Sequence, residues 1–161
     1  MNEYPLPAFR FKIDFYVGTE GASNFGDSKP ICSGAFAECT GLEAVMEPRS
    51  IRVGGSNYGE TQRAGRVSFG TVILKRGVAK TRDLWKWFEL VGNGAYAFRL
   101  DAEVSLLGFG DSEGLDTNHS WYLMNALPTK FKAADFVATA QEVALEELHF
   151  VHEGMYHFHA D

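Results

Sequence analysis

Nine residues near the start, FRFKIDFYV (Phe9–Val17), place an apolar side chain at every second position: Phe9, Phe11, Ile13, Phe15 and Val17. Arg10, Lys12, Asp14 and Tyr16 fall between them. Side chains alternate across a strand, whereas a helix brings a face round only every ~3.6 residues. The stretch can therefore bury its apolar set only as a strand, and it predicts a half-buried one with the polar set in water.

The same logic extends along the chain. Gly18–Pro30 is a polar, glycine-bearing loop, a second strand fits Gly34–Cys39, and Gly41 marks a turn or bulge. Glu43–Val53 alternates again through Val45, Ile51 and Val53. Pro48 interrupts it, and a proline donates no ladder hydrogen bond, so this strand is an edge or carries a bulge. Arg66–Lys75 reads as its antiparallel partner, giving a long hairpin over about residues 43–75 with a glycine-rich tip. Ala95–Leu107 sets Tyr96, Phe98, Leu100, Val104 and Leu106 on one face; Trp121–Leu127 returns, and Pro128 is expected to stop it.

Thr81–Val91 is the clear helix, with Leu84, Trp87, Phe88 and Val91 at helical spacing. Thr81 is placed to cap it, Asp83 sits in its positive first turn and Gly92 ends it. Gln141–Val151 is ambiguous: its composition favours helix, yet Leu148 and Phe150 alternate like a strand. Taken together, the pattern is mainly β (α+β) in one domain of 161 residues, an antiparallel sandwich or barrel with one helix.

GGSNYGET (Gly54–Thr61) nearly matches the phosphate cradle G-x-x-x-x-G-K-[ST], but Glu60 stands where the lysine belongs. Such a cradle must open a helix, whose amides and dipole receive the phosphate. Here a strand-like run follows, so a nucleotide site is not expected. His149, His152, His157 and His159 crowd the end with Glu153, and His157 and His159 can share a strand face. No third ligand is placed for them, so no metal is assigned. DSEGLD (Asp111–Asp116) lacks the order of a calcium loop and reads as a solvated turn. Cys32 and Cys39 do not form a C-x-x-C pair and read as ordinary thiols. No nucleophile elbow, Cys–His signature or H-E-x-x-H motif occurs, and Glu146 and Glu147, being adjacent, point apart. The expectation is no enzyme and no cofactor.

Charge is more directive. The net charge of −6 disfavours general binding to nucleic acid or anionic membrane. Arg49, Arg52, Arg63 and Arg66 make the hairpin basic against Glu47 and Glu60, whereas the segment from Gln141 onward carries Glu142, Glu146, Glu147, Glu153 and Asp161 and no Lys or Arg. A basic arm and an acidic tail attract each other between copies. No apolar run approaches the roughly 18 residues of a membrane helix, and charged residues among the first fifteen argue against a signal peptide. Synthesis and assembly in a bacterial cytoplasm are expected, with no membrane insertion.

Five segments in order resemble the inner-tube proteins of contractile phage tails and contractile injection systems. PLPAFRFKIDFYV resembles the opening strand of that family. FAECTGLEAVMEPRSIRVGG resembles its GLE turn (Gly41, Leu42, Glu43) and the strand leading to a Gly-Gly pair. TVILKRGVAKTRDLWKWF resembles its LKRG strand end (Leu74, Lys75, Arg76, Gly77) and a helix bearing Trp87. WYLMNALPTKF resembles its late strand ending at Pro128, and EVALEELHFVHEG, with Glu146, its closing strand. The Asn24–Ser33 insertion and the GMYHFHAD ending fall outside the pattern.

The resemblance implies two packed antiparallel sheets in a barrel-like sandwich, a flanking helix and a protruding hairpin. It turns Gln141–Val151 into a strand. It further implies hexameric rings stacked into a hollow conduit for DNA or protein cargo, driven through the target envelope when a sheath contracts. The virion tail or injection particle would hold it. Its implied partners are itself, the sheath, a baseplate hub or tube initiator, a tape measure and a tube terminator. The expected stacking residues are Arg49, Arg52, Gly54, Gly55, Tyr58, Gly59, Arg63 and Arg66. A monomeric β-barrel holding a small ligand in its mouth is the alternative.

Overall fold

The computed structural model describes residues 11–17, 32–107, 119–139 and 141–158. The loop after residue 17, the DSEGLD turn, His159 and residues 24–31 of the insertion lie outside the described residues.

The strands are β1 (Phe11–Val17), β2 (Cys32–Ala35), β3 (Glu38–Thr40), β4 (Ala44–Met46), β5 (Arg49–Ile51), β6 (Thr61–Arg63), β7 (Val67–Phe69), β8 (Val72–Gly77), β9 (Leu100–Leu106), β10 (His119–Lys132), β11 (Leu145–Val151) and β12 (Gly154–Phe158). The helix α1 (Asp83–Gly92) lies between β8 and β9. The main sheet runs β2-β1-β9-β10-β11-β8-β3, with β12 also on β10 and every pairing antiparallel.

Two features fold this sheet over. The first is β10, whose first part pairs with β9 and β12 and whose last part pairs with β11. Pro128 does not stop it: the strand runs through to Lys132, and the register shifts between Pro128 and Lys130. A proline that cannot donate is accommodated where the ladder bulges. The second is the link from β2 to β3. These strands end opposite sides of the sheet, yet only Phe36 and Ala37 separate them. Two residues reach only about 7 Å, so the sheet must curl until its ends meet. Phe36 is buried at this corner and Ala37 N–H donates to Lys75 O at 2.8 Å. The expected single strand Gly34–Cys39 is thus two short strands around a bend. The result is a mainly β, barrel-like sandwich whose ladder does not close.

The core lies between the two halves. Phe15 of β1 meets Phe150 of β11 with ring centroids 5.8 Å apart, and Trp87 of α1 sits 5.1 Å from Phe15 and 6.2 Å from Phe150. Ile13, Leu74, Leu84, Leu100, Leu123 and Leu148 fill the space around them. Each such side chain contributes roughly 1.5–3 kcal/mol by leaving water. Leu84, Trp87 and Val91 form the buried stripe of α1, as their spacing predicts.

Some expectations fail for identifiable reasons. The polar face of β1 is not wet: Asp14 and Tyr16 are buried, and on the neighbouring strands Glu103 accepts a hydrogen bond from Tyr122 Oη at 3.2 Å. Burial, then the nearby Asp14 and Glu103, push the Tyr16 phenol up to about 12. Arg82 rather than Thr81 is the N-cap, and no side chain caps the helix. Asp83 takes that place in part, accepting from Leu84 N–H at 3.0 Å. β9 begins only at Leu100, and Tyr96 is exposed.

Candidate functional site

Residues 43–69 leave the body of the protein as an arm. It is two short ladders in series: β4 on β7, from Ala44↔Phe69 to Met46↔Val67, and β5 on β6, from Arg49↔Arg63 to Ile51↔Thr61. The expected continuous strand Arg66–Lys75 breaks at Gly70 and Thr71 into β7 and β8. Pro48 separates β4 from β5, as its missing donor predicts.

Gly41 makes the base possible. Its φ is +88°, and a Cβ there would lie 1.9 Å from Thr71 O. A left-handed backbone and so close an approach leave room only for hydrogen. Glu43 O accepts from Gly70 N–H at 3.2 Å and Glu47 N–H donates to Arg66 O at 3.1 Å, so the arm is held together at its root. His152, buried just past β11, packs at a tilt against Phe69 with centroids 5.1 Å apart.

Toward the tip the contacts are light. Ser50 and Gln62 exchange hydrogen bonds at 2.9 and 3.2 Å, and Arg52 Nε lies 3.1 Å from Glu60 Oε1. Gly55 and Gly59 turn the chain with φ of +88° and +89°, whereas Gly54 needs no positive φ. A strand, β6, follows the tip, so the loop has no helix N-terminus to offer a phosphate. Arg49 and Arg63 face each other across the ladder. Like charges in that position destabilise a strand pair.

The arm is also apolar where it should be wet. Val45, Met46, Ile51, Val53 and Val67 are exposed, and Tyr58 at the tip is 100% exposed. An isolated two-stranded hairpin is only marginally stable in water. Large exposed apolar patches on a protein are often interaction surfaces.

The remaining motif residues support the body. Leu42 packs on the core and Leu74 lies within it. Lys75 pairs with Glu38 at 3.1 Å. Arg76 is buried and grips Glu146 at 2.5 Å and Asp83, tying β8 to β11 and to α1. Burial opposes its charge, but the two carboxylates outweigh this and raise its proton affinity above that of an ordinary arginine. The sequence reading does not find this three-way contact; an arginine at the end of a largely apolar strand, seven residues before Asp83 at the helix start, is the signal for it.

The histidines scatter. His149 bonds Glu147, which holds that carboxyl below its usual range. The Nδ1 of His152 lies 3.0 Å from Gly154 O. His157 lies against His119 at 3.0 Å, and its ring meets that of Trp121 at a tilt with centroids 4.6 Å apart. Among the described residues, no three His, Cys, Asp or Glu side chains gather to hold a metal. Cys39 is a free, half-buried thiol that burial pushes up to about 11. No helix of the described residues is long and apolar enough to cross a membrane.

A curled but open sheet bearing an exposed arm has a counterpart in sequence: the family model described as T4-like virus tail tube protein gp19 matches residues 7–156. The chain belongs to this family. It is a tail tube protein, a structural subunit of the tail tube. No curated protein matches the sequence. Solved structures share the fold. A chain in the 6-fold symmetrised cryo-EM structure of the anti-feeding prophage baseplate is 23% identical with a TM-score of 0.77, over 97% of this chain and 97% of that chain. One in the PVC sheath-tube complex of an extracellular contractile injection system, in the extended state, is 22% identical with a TM-score of 0.75, over 99% and 95%. A crystal structure of Hcp protein is more distant, at 12% identity and a TM-score of 0.51 over 92% and 91%. The tail tube fold confirms the expected strand in Gln141–Val151, as β11, against its helix-favouring composition.

Proposed function

We propose that residues 1–161 form one domain that closes hexameric rings with copies of itself, and that the rings stack into a hollow conduit. The exposed apolar arm carries this reading. Its own chain leaves Val45, Met46, Ile51, Val53, Val67 and Tyr58 uncovered, so a second copy must cover them if the arm is to hold its shape. Arg49, Arg52, Gly54, Gly55, Tyr58, Gly59, Arg63 and Arg66 are the stacking residues. Each exposed ion pair across the joint contributes only about 0–1 kcal/mol, so the arginines set register and the apolar groups supply affinity.

Ring closure draws on the open sheet. Among the described residues, β2 and β3 each pair on one side, and β12 pairs only with β10. A neighbouring subunit that extends these edges removes an aggregation hazard and completes a wall around the lumen. Contacts between unlike surfaces close into a ring where rotation returns to the start and continue as a filament where it does not.

The conduit passes DNA or protein cargo and performs no covalent chemistry; it needs no cofactor. Its negative charge suppresses sticking of DNA to the wall. The fold neighbours come from a sheath-tube complex, a baseplate and a tube-terminating cap, which supports a sheath, a baseplate hub and a terminator as partners here. A tape measure sets the length during assembly in the bacterial cytoplasm, and the finished tube resides in a virion tail or an injection particle.

Negative-stain microscopy with sedimentation velocity tests this directly. Six-fold rings or filaments are expected from purified protein. A strict monomer at all concentrations up to the solubility limit overturns it, and a ligand-induced thermal shift of that monomer would favour the small barrel instead.

A further inference from the structure

Two histidines from different strands meet where β9 ends. His119 opens β10, opposite Leu106, and His157 lies on β12. The β10–β12 register sets Trp121 opposite His157 and Ser120 opposite Phe158. Side chains alternate across a strand, so His119, two residues before Trp121, shares its face and is the diagonal neighbour of His157. The rings touch. His157 Nε2 lies 3.0 Å from Nδ1 and 3.2 Å from Nε2 of His119, with ring centroids 4.2 Å apart. Trp121, packed on the core, meets both rings, with centroids 6.1 Å from His119 and 4.6 Å from His157. The indole therefore backs the pair from the core side. His157 is exposed and His119 half-buried, so the other side is open to solutes.

We infer that His119 and His157 together hold a divalent transition-metal ion of the imidazole-binding class, Zn²⁺, Ni²⁺ or Cu²⁺, in a two-ligand surface site whose remaining positions water fills. The site goes beyond the conduit reading and does not depend on it. Distance carries the assignment. An imidazole nitrogen binds such an ion at ~2.0–2.1 Å. Two nitrogens on one ion therefore stand about 2.9 Å apart at a right angle and about 3.3 Å apart at the tetrahedral angle. The separations of 3.0 and 3.2 Å fall within that span. Neutral imidazole keeps a lone pair on one of its two nitrogens. Both nitrogens of His119 face Nε2 of His157, so either tautomer serves, and a small turn of the exposed His157 ring lets an ion replace the proton between them. The strand ladder already holds the two backbones in place, so little ordering is needed on binding. Other candidate ligands among the described residues are engaged or inert. His149 bonds Glu147, and His152 is buried with Nδ1 on Gly154 O. The Cys39 thiol, pushed up to about 11 by burial, stays protonated and is a poor ligand.

The test titrates the full chain with nickel chloride and follows tryptophan emission. An open-shell ion quenches an indole beside it, and Trp121 adjoins the pair whereas Trp85 and Trp87 lie on α1. Saturable, partial quenching is expected in wild type. Zinc chloride, whose closed-shell ion does not quench, should displace Ni²⁺ and restore the emission. His119→Ala and His157→Ala should each raise the half-saturating Ni²⁺ concentration at least about tenfold, since each removes one of two tethered ligands. A smaller shift in either variant overturns the site; a loss confined to His157→Ala would give the ion to the end of the chain instead. Trp121→Phe should lose the quenching, and quenching that persists there overturns the site. So does wild-type emission that Ni²⁺ leaves unchanged. The wild-type and Trp121→Phe titrations keep both histidines, so they decide the matter should an alanine variant lose its fold by circular dichroism.

Discussion

Arg76 Nε lies 2.5 Å from Oε1 of Glu146, its direct cross-strand partner, and the remaining guanidinium nitrogens reach Asp83 at the start of α1. One buried cation thus fixes three elements, β8, β11 and α1, whose apolar faces alone would tolerate sliding.

Removing that cation should be costly. Arg76→Ala leaves two largely buried carboxylates without their partner, and breaking a buried pair from one side costs about 3–5 kcal/mol. Arg76→Lys should recover only part of this, since an ammonium cannot hold two carboxylates with a planar fork. Chemical denaturation of the three proteins checks the order.

Tyr58→Asp, or deletion of Gly55–Gly59, should abolish stacking and spare the fold. Tyr58 makes no burial within its own chain, and substitutions at such sites stay within about 0.5 kcal/mol. Unchanged denaturation midpoints alongside single rings in negative stain are the expected pair of observations. Tubes at normal abundance would remove the tip from the stacking surface.

Gly41→Ala should destabilise by more than about 2 kcal/mol, because it combines a left-handed residue with a Cβ pressed on Thr71 O. Gly54→Ala has open space around it and no positive φ, so it should be near neutral. Comparing the two melts separates a glycine required at the root from one merely present at the tip.

Acidification should loosen the root of the arm. Burial pulls the His152 imidazole below its ordinary value, while the carbonyl of Gly154 opposes this. The unfolded chain therefore takes the proton more readily. The stability contributed by neutral His152 is fully present above the unfolded value of about 6.5 and is lost as pH falls through the lower folded value. Thermal melts at pH 7.5 and 5.5 should show a larger loss for wild type than for His152→Gln. An equal loss in both would exclude His152 as the source. Glu147, which is also held low, protonates in more acidic solution and does not obscure this window.

The sequence shows its limits at particular residues. The alternation in Phe9–Val17 identified a strand but misjudged its polar face, because period alone says which side chains share a face and not what covers the other. Pro128 looked like a terminator, since a missing donor ends an ideal ladder; a local register shift absorbed it. Thr81 had the right chemistry for a cap, one residue before the N-cap position that Arg82 holds.

What the chain determined by itself was local: the strands, the helix stripe, the break at Pro48 and the glycines at the root and tip of the arm. These depend on side-chain period, ring constraint and backbone sterics, which neighbouring residues settle. The closing of Arg76 on Asp83 and Glu146, the curl that joins β2 to β3, and the passage of β10 from β9 and β12 to β11 were decided by tertiary structure. Each depends on strand register between distant segments, and register is set only when one core must be filled from all of them at once.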